Sequence, residues 1–131
     1  MVSPQHRVVL DTPAHPRGAF APAGLLAAEG DGRFRHARGI RQVTYYNLLL
    51  PRHAVMFANG AQVESFYPGP RALRALSLPD LARLHHVIPD LSTVRDGSEV
   101  CAVYGPLARL QLRRRDLRLM RRHMAPVCAM A

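Results

Sequence analysis

The dipeptide Asn59-Gly60, set between the apolar runs HAVMFA and AQVESFY, constrains this chain more than any other feature. A two-residue reversal needs positive φ at its central positions, and Asn followed by Gly supplies that at the least steric cost. The flanking runs are therefore expected to pair as a hairpin. Upstream, IRQVTYYNLLL is rich in Ile, Val, Thr and Tyr and breaks at Pro51-Arg52, which predicts a further strand. Three strands joined by tight turns are thus expected over residues 40–67, ending at Pro68-Gly69-Pro70.

The remaining chain is read against that hairpin. Arg7 to Leu10, RVVL, is a short β-branched run that stops at Asp11-Thr12-Pro13, where proline removes the next ladder donor. A loop to about Ala21 is expected, then a weak strand at Leu25 to Ala27 and an exposed turn over EGDGRFRHARG. Beyond Pro70 the period lengthens. Leu73 and Leu76 share a helical face, and Ser77 with Asp80 three residues on predicts an N-cap for a helix at about 79–87, ending at Ile88-Pro89. After Asp96-Gly97 a strand at Glu99 to Tyr104 is expected. Gly105-Pro106 then opens a longer helix carrying the stripe Leu107, Leu110, Leu117, Met120 and Met124. The fold class this predicts is mainly β through residue 69, with C-terminal helices appended over 70–131.

At 131 residues the chain is the size of one domain, and 48% hydrophobic with 21% charged residues lies in the globular range. A spanning helix needs about 20 consecutive apolar residues, and the runs here are far shorter. The first residues carry a His-Arg pair but no apolar signal core, so no secretory signal is visible and a cytoplasmic location is the default expectation. Cys101 and Cys128 are too few and too far apart for a disulfide framework or a zinc site. The net charge of +9 would ordinarily point to phosphate backbones or anionic membranes. All 18 basic residues are Arg, however, a bias that GC-rich coding yields without selection for phosphate binding. Most of the excess is in the tail, where seven arginines face Asp116 alone.

Residues 46–63 carry a resemblance. Tyr46-Asn47-Leu48, His53, Phe57-Ala58-Asn59-Gly60 and Val63 are similar to the closing block of Hint (hedgehog/intein) domains, with Glu64-Ser65 standing where inteins have His-Asn. The ending VESFYPG resembles bacterial Hint domains that are not true inteins. Upstream, Ser3-Pro4-Gln5-His6 resembles the family's Thr-x-x-His motif. The resemblance covers roughly residues 2–69 and implies an incomplete Hint-type β fold, with 1–69 as the C-terminal part of the domain.

The resemblance also implies chemistry. In the family the motif His protonates or hydrogen-bonds the scissile amide nitrogen and the hydroxyl residue orients the carbonyl, roles that fall by position on His6 and Ser3. An imidazole suits this because it donates and accepts protons near neutral pH. His53 and Asn47 match the closing block, Asn47 replacing the usual Asp or His. The family's reaction starts when an opening Cys or Ser attacks the preceding carbonyl. With Ser3 two residues after Met1, that nucleophile is expected to be missing, and Ser65 has no amide to cyclise. The site of Ser3, His6, His53 and Asn47 is thus expected to be vestigial or partial. An upstream or separate fragment completing the domain is the partner implied, and a coding start upstream of Met1 would supply the same residues. No cofactor, metal or small-molecule substrate is implied.

Local readings compete with these. His6 at a strand entrance and His53 after a Pro-Arg turn also suit plain structural roles. His85-His86 point to different sides of a helix and make a poor metal site. Tyr45, Tyr46, Phe57 and Phe66 are expected in the core. The rival function is binding of nucleic acid or anionic membrane by the Arg-rich tail helix, the weaker reading given the Arg-only composition. Loss of opening strands is expected to leave exposed edges and apolar surface.

Overall fold

The computed structural model describes residues 2–29, 32 and 34–123, the last three by backbone alone. Met124, Cys128 and part of the turn after Glu29 lie outside the described residues. Four strands form one antiparallel sheet in the order β2-β1-β4-β3, from β1 (Arg7–Thr12), β2 (His15–Pro22), β3 (Val55–Ala58) and β4 (Ala61–Glu64). Five helices accompany it: α1 (Ala23–Glu29), α2 (Pro70–Ala75), α3 (Leu78–Val87), α4 (Gly97–Tyr104) and α5 (Arg114–His123), with a 3-10 turn at Pro89–Thr93. A β sheet confined to the first half, with helices from residue 70 onward, agrees with the expected fold class. The chain divides into two compact units, one of residues 1–46, 57–64 and 109–131, the other of 47–56 and 65–108.

In the first unit β1 pairs with β2 on one side, Val8 opposite Ala21 and Val9 opposite Phe20, and with β4 on the other, Val8 opposite Val63. The β1–β2 reversal is tied by Thr12, whose hydroxyl accepts from the His15 N–H at 3.0 Å. Gly18, at φ 80°, sits so close to β1 that a Cβ there would lie 2.3 Å from Val9 Cγ1. Phe20 exchanges backbone hydrogen bonds of 2.7 Å with Leu110 and Leu112, adding a parallel bridge at Gln111. Val8, Ala19, Phe20, Ala21, Leu26, Val63, Leu112 and Leu117 make the buried core of this unit. Asn59 and Gly60 both take positive φ, 50° and 79°, as the hairpin reading requires.

Several expected elements differ. The loop to Ala21 is instead β2, a strand that HPRGAFAP forms because it pairs with β1 along its length, not because its residues favour extension. Leu25 to Ala27 lies in helix α1. Residues 40–50 form no strand, and Ile40, Val43, Tyr45, Tyr46 and Leu48 are exposed, Tyr46 at 90%. Strand-prone side chains without a pairing edge gain nothing from extension. Tyr45, Tyr46 and Phe57 are thus outside the core, and Phe66 is half-buried.

In the second unit Ser77 caps α3 as expected, accepting from the Asp80 N–H and donating its own hydroxyl to the Asp80 carboxylate at 2.6 Å. Glu99 to Tyr104 is helix rather than strand. Asp96, the N-cap, accepts from the N–H groups of Ser98 and Glu99, and Glu99 reaches back to the N–H of Arg95, one residue before the cap, a variant of the capping box. Gly105, at φ 96°, ends α4, so Gly105-Pro106 closes one helix instead of opening the next. Helix α5 starts at Arg114, where Asp116 accepts from the Arg113 N–H. Leu84, Leu91, Val100 and Tyr104 are among the buried residues of this unit, together with Pro68 and the polar His53 and Ser65.

Truncating Phe20, which has no exposed surface, to Ala is expected to cost about 3–5 kcal/mol. The same change at Phe57, 76% exposed, is expected to cost less than about 0.5 kcal/mol. Urea denaturation of the two variants checks this ordering.

Candidate functional site

The Ser3-Pro4-Gln5-His6 segment folds as a turn in which the His6 N–H donates to the Ser3 carbonyl at 3.0 Å and to the Ser3 hydroxyl at 3.2 Å. The start of α1 is docked on it: the His6 carbonyl accepts from the Ala23 N–H and the Pro4 carbonyl from the Gly24 N–H, both at 2.8 Å. Gly24 permits that approach, since a Cβ would meet Pro4 at 3.0 Å. Two of the unsatisfied N–H groups at the N-terminus of α1 thereby find partners. The turn thus brings Ser3 and His6 together and holds the imidazole half-buried at the entrance to β1.

The next residue meets Glu64 at the end of β4. One carboxylate oxygen of Glu64 accepts from the Arg7 N–H at 2.8 Å and the other from its guanidinium at 2.5 Å. The Glu64 side chain is only 8% exposed. Burial lowers the proton affinity of His6 below its ordinary 6.5; the Glu64 carboxylate pulls it back up and the Arg7 guanidinium pushes it down. A neutral imidazole, able to accept a proton, is the result.

His53 and Asn47 belong to the second unit, Ser3 and His6 to the first. His53 is buried and its Nδ1 accepts from the Ala108 N–H at 3.0 Å, which in the neutral ring puts the proton on Nε2. Its ring meets Tyr67 edge-on at 5.1 Å, and Tyr67 meets Tyr104 at 5.8 Å. The Tyr67 hydroxyl donates to the Gly105 carbonyl and that of Tyr104 to the Leu50 carbonyl. Burial raises the Tyr104 phenol above its ordinary value, keeping it a donor, against the opposing effect of its bond to Leu50. Asn47 is exposed in an irregular stretch. Ser65 has no exposed surface: its N–H donates to the Ala54 carbonyl and its hydroxyl accepts from the Ala54 N–H.

Sequence reasoning did not find the Arg7–Glu64 clamp, the Tyr67–Tyr104 contact or the Ala108 bond to His53. A charged residue next to Val63 at a strand end was the available signal for the clamp, since a carboxylate there needs a cation once the sheet closes over it. The basic tail is also more compensated than its composition implies. Arg114 and Arg118 both bind the Glu29 carboxylate, at 3.3 and 3.0 Å, and Arg115 lies 3.6 Å from Asp116. Among the described residues no group of three His, Cys, Asp or Glu gathers to hold a metal, and no helix is long and apolar enough to cross a membrane.

The family model for the Hint domain matches residues 1–70. That range runs from the Ser3–His6 turn through the hairpin and Glu64-Ser65, and it covers more than half of the chain. The chain belongs to the Hint domain family. No curated protein and no solved structure gives a significant match.

The electrostatics of His6 predict a pH response. Because its folded-state proton affinity is depressed, the unfolded chain binds the proton first as pH falls. The stability tied to a neutral His6 is complete above pH 6.5 and is lost as pH falls from there through the lower folded-state value. His6→Gln is expected to lose less stability than the wild type between about pH 7 and the lower value. Denaturation midpoints across this range check it, and equal losses would count against the assignment.

Proposed function

We propose that residues 1–70 are the closing, histidine-bearing part of a Hint domain of the bacterial, non-intein kind, and that the present 131 residues do not cleave or splice themselves. The observation that carries the reading is the Ser3–His6 turn within the matched segment, in which the Ser3 hydroxyl accepts from the His6 main-chain N–H and the imidazole is half-buried with its proton affinity lowered. Such a pair suits an amide about to be broken. In an acyl shift a thiolate or alkoxide attacks the carbonyl carbon, the C–N bond breaks, and the departing nitrogen takes a proton. On this reading the neutral His6 ring takes up the proton released by the attacking group and passes it to that nitrogen, and Ser3 orients the carbonyl.

The attacking group is the part these residues do not match. Cys101 lies exposed on α4, inside a helix rather than at the opening of a domain. Ser65 and Glu64 are engaged in backbone bonds, and neither offers an amide that could cyclise onto the chain. His53 and Asn47 enter this reading by their sequence position in the closing block alone. The partner this implies is a segment carrying the opening strands and their nucleophile, on the same polypeptide or another.

Binding of nucleic acid or an anionic membrane by the tail is the alternative, and the pairing of Arg114, Arg115 and Arg118 with Glu29 and Asp116 lowers the charge available for it. Steeply salt-dependent binding to generic DNA, measured by fluorescence anisotropy, would reinstate it.

Mass spectrometry of the chain fused at its N-terminus to a carrier is expected to show the intact fusion only. Cleavage at the junction would overturn the claim of inertness. Where an opening Hint segment with an N-terminal Cys is joined upstream, thioester-dependent cleavage is expected, and His6→Ala is expected to slow it by about 100-fold or more.

A further inference from the structure

We infer that Glu64 is a positioning residue for His6, fixing the backbone on which the imidazole stands and supplying the negative charge against which it takes up and releases its proton. This rests on the reading that His6 acts on a peptide bond. The geometry is local to one unit. Glu64 grips residue 7 twice, at the main-chain N–H and at the guanidinium, one peptide bond from His6. His6 itself is held by Ser3 at its N–H and by Ala23 at its carbonyl. With Arg7 anchored, the backbone on both sides of the imidazole is tied by hydrogen bonds.

Charge adds to position. The charged groups acting on the imidazole are Glu64 from β4 and Arg7 on its own strand, while α1 and the Ser3 hydroxyl meet His6 at its main-chain carbonyl and N–H. Burial and Arg7 both favour the neutral ring, and Glu64 alone opposes them. A general acid–base must visit both protonation states near the working pH. Remove the carboxylate and the ring keeps its ability to accept but loses its ability to hold the proton that a leaving amine needs. A carboxylate at this position therefore has a role that an isosteric amide could not fill.

The test is the titration of the His6 imidazole by isotope-edited NMR on the full chain, which needs no cleavage activity and so stands or falls apart from the family chemistry. Glu64→Gln, which retains an oxygen acceptor for the Arg7 N–H, is expected to lower the His6 midpoint. Glu64→Asp is expected to restore it toward the wild-type value, a rescue that packing alone would not produce. Arg7→Gln removes the opposing cation and is expected to raise the midpoint, which keeps the inference open to refutation if Glu64→Gln does not fold. Unchanged His6 midpoints in a folded Glu64→Gln or Arg7→Gln protein would overturn it.

Discussion

Glu64 ends β4 with its carboxylate turned inward onto the first residue of β1, and the arrangement of the first unit follows from that contact. Taking a carboxylate out of water costs several kcal/mol unless it is paired and hydrogen-bonded, so the acid selects one register in which both of its oxygens are met. Val8 then stands opposite Val63, and the core side of β1 is set, since a slip by one residue would turn every side chain to the wrong face. With β1 placed, β2 pairs along its other edge, and Phe20 is buried between that pairing and the segment Leu110–Leu112. The ion pair adds little to net stability when weighed against an apolar pair of the same shape. Its contribution is uniqueness of register.

How much of this could be read from the residues follows from where each element gets its structure. The Asn59-Gly60 hairpin, the RVVL strand and α3 carry their causes locally, in turn dihedrals, β-branching and a Ser–Asp cap, and all three are legible. Helix α4 is equally local, because Asp96 caps it and Glu99 reaches back to the Arg95 N–H, a signal that the apolar run Val100 to Tyr104 masks. By contrast β2 owes its extension to pairing with β1. The stretch 40–50 has strand-forming side chains and remains irregular, its Leu48 and Leu50 carbonyls taken singly by the Phe66 N–H and the Tyr104 hydroxyl. Propensity in a strand is a statement about neighbours, and neighbours are not written in a local window.

The site divides in the same way. The Ser3–His6 turn was legible as a motif, and its hydrogen bond lies within four residues. The carboxylate that opposes the effect of burial on the imidazole is Glu64, bonded to the neighbouring Arg7 N–H 57 residues away in the chain, and no spacing rule marks that partner. The arginines of the tail teach the converse lesson. As composition they read as a basic patch, but Glu29, only 13% exposed in its side chain, collects two of their guanidinium groups. Charge counted along a sequence overstates charge offered to a partner whenever a single buried acid can gather several cations.

Residues that match a catalytic family need not have been kept for catalysis. Ser65 lies within the matched segment, and both its main-chain N–H and its hydroxyl close onto Ala54. His53 stands in the motif's histidine position and uses Nδ1 to bind the Ala108 N–H, beside a pair of tyrosines that donate to Gly105 and Leu50. Each of these bonds gives a part-buried backbone group a partner, a contribution of roughly 0.5–1.5 kcal/mol for an ordinary hydrogen bond. Such a requirement preserves side chains of fixed size and hydrogen-bonding character whether or not a reaction is carried out. His6 differs, because its ring is half-buried and answers to two opposing charges, an arrangement that a merely space-filling residue does not need. The distinction between the two histidines therefore lies in their surroundings and not in their each matching a motif.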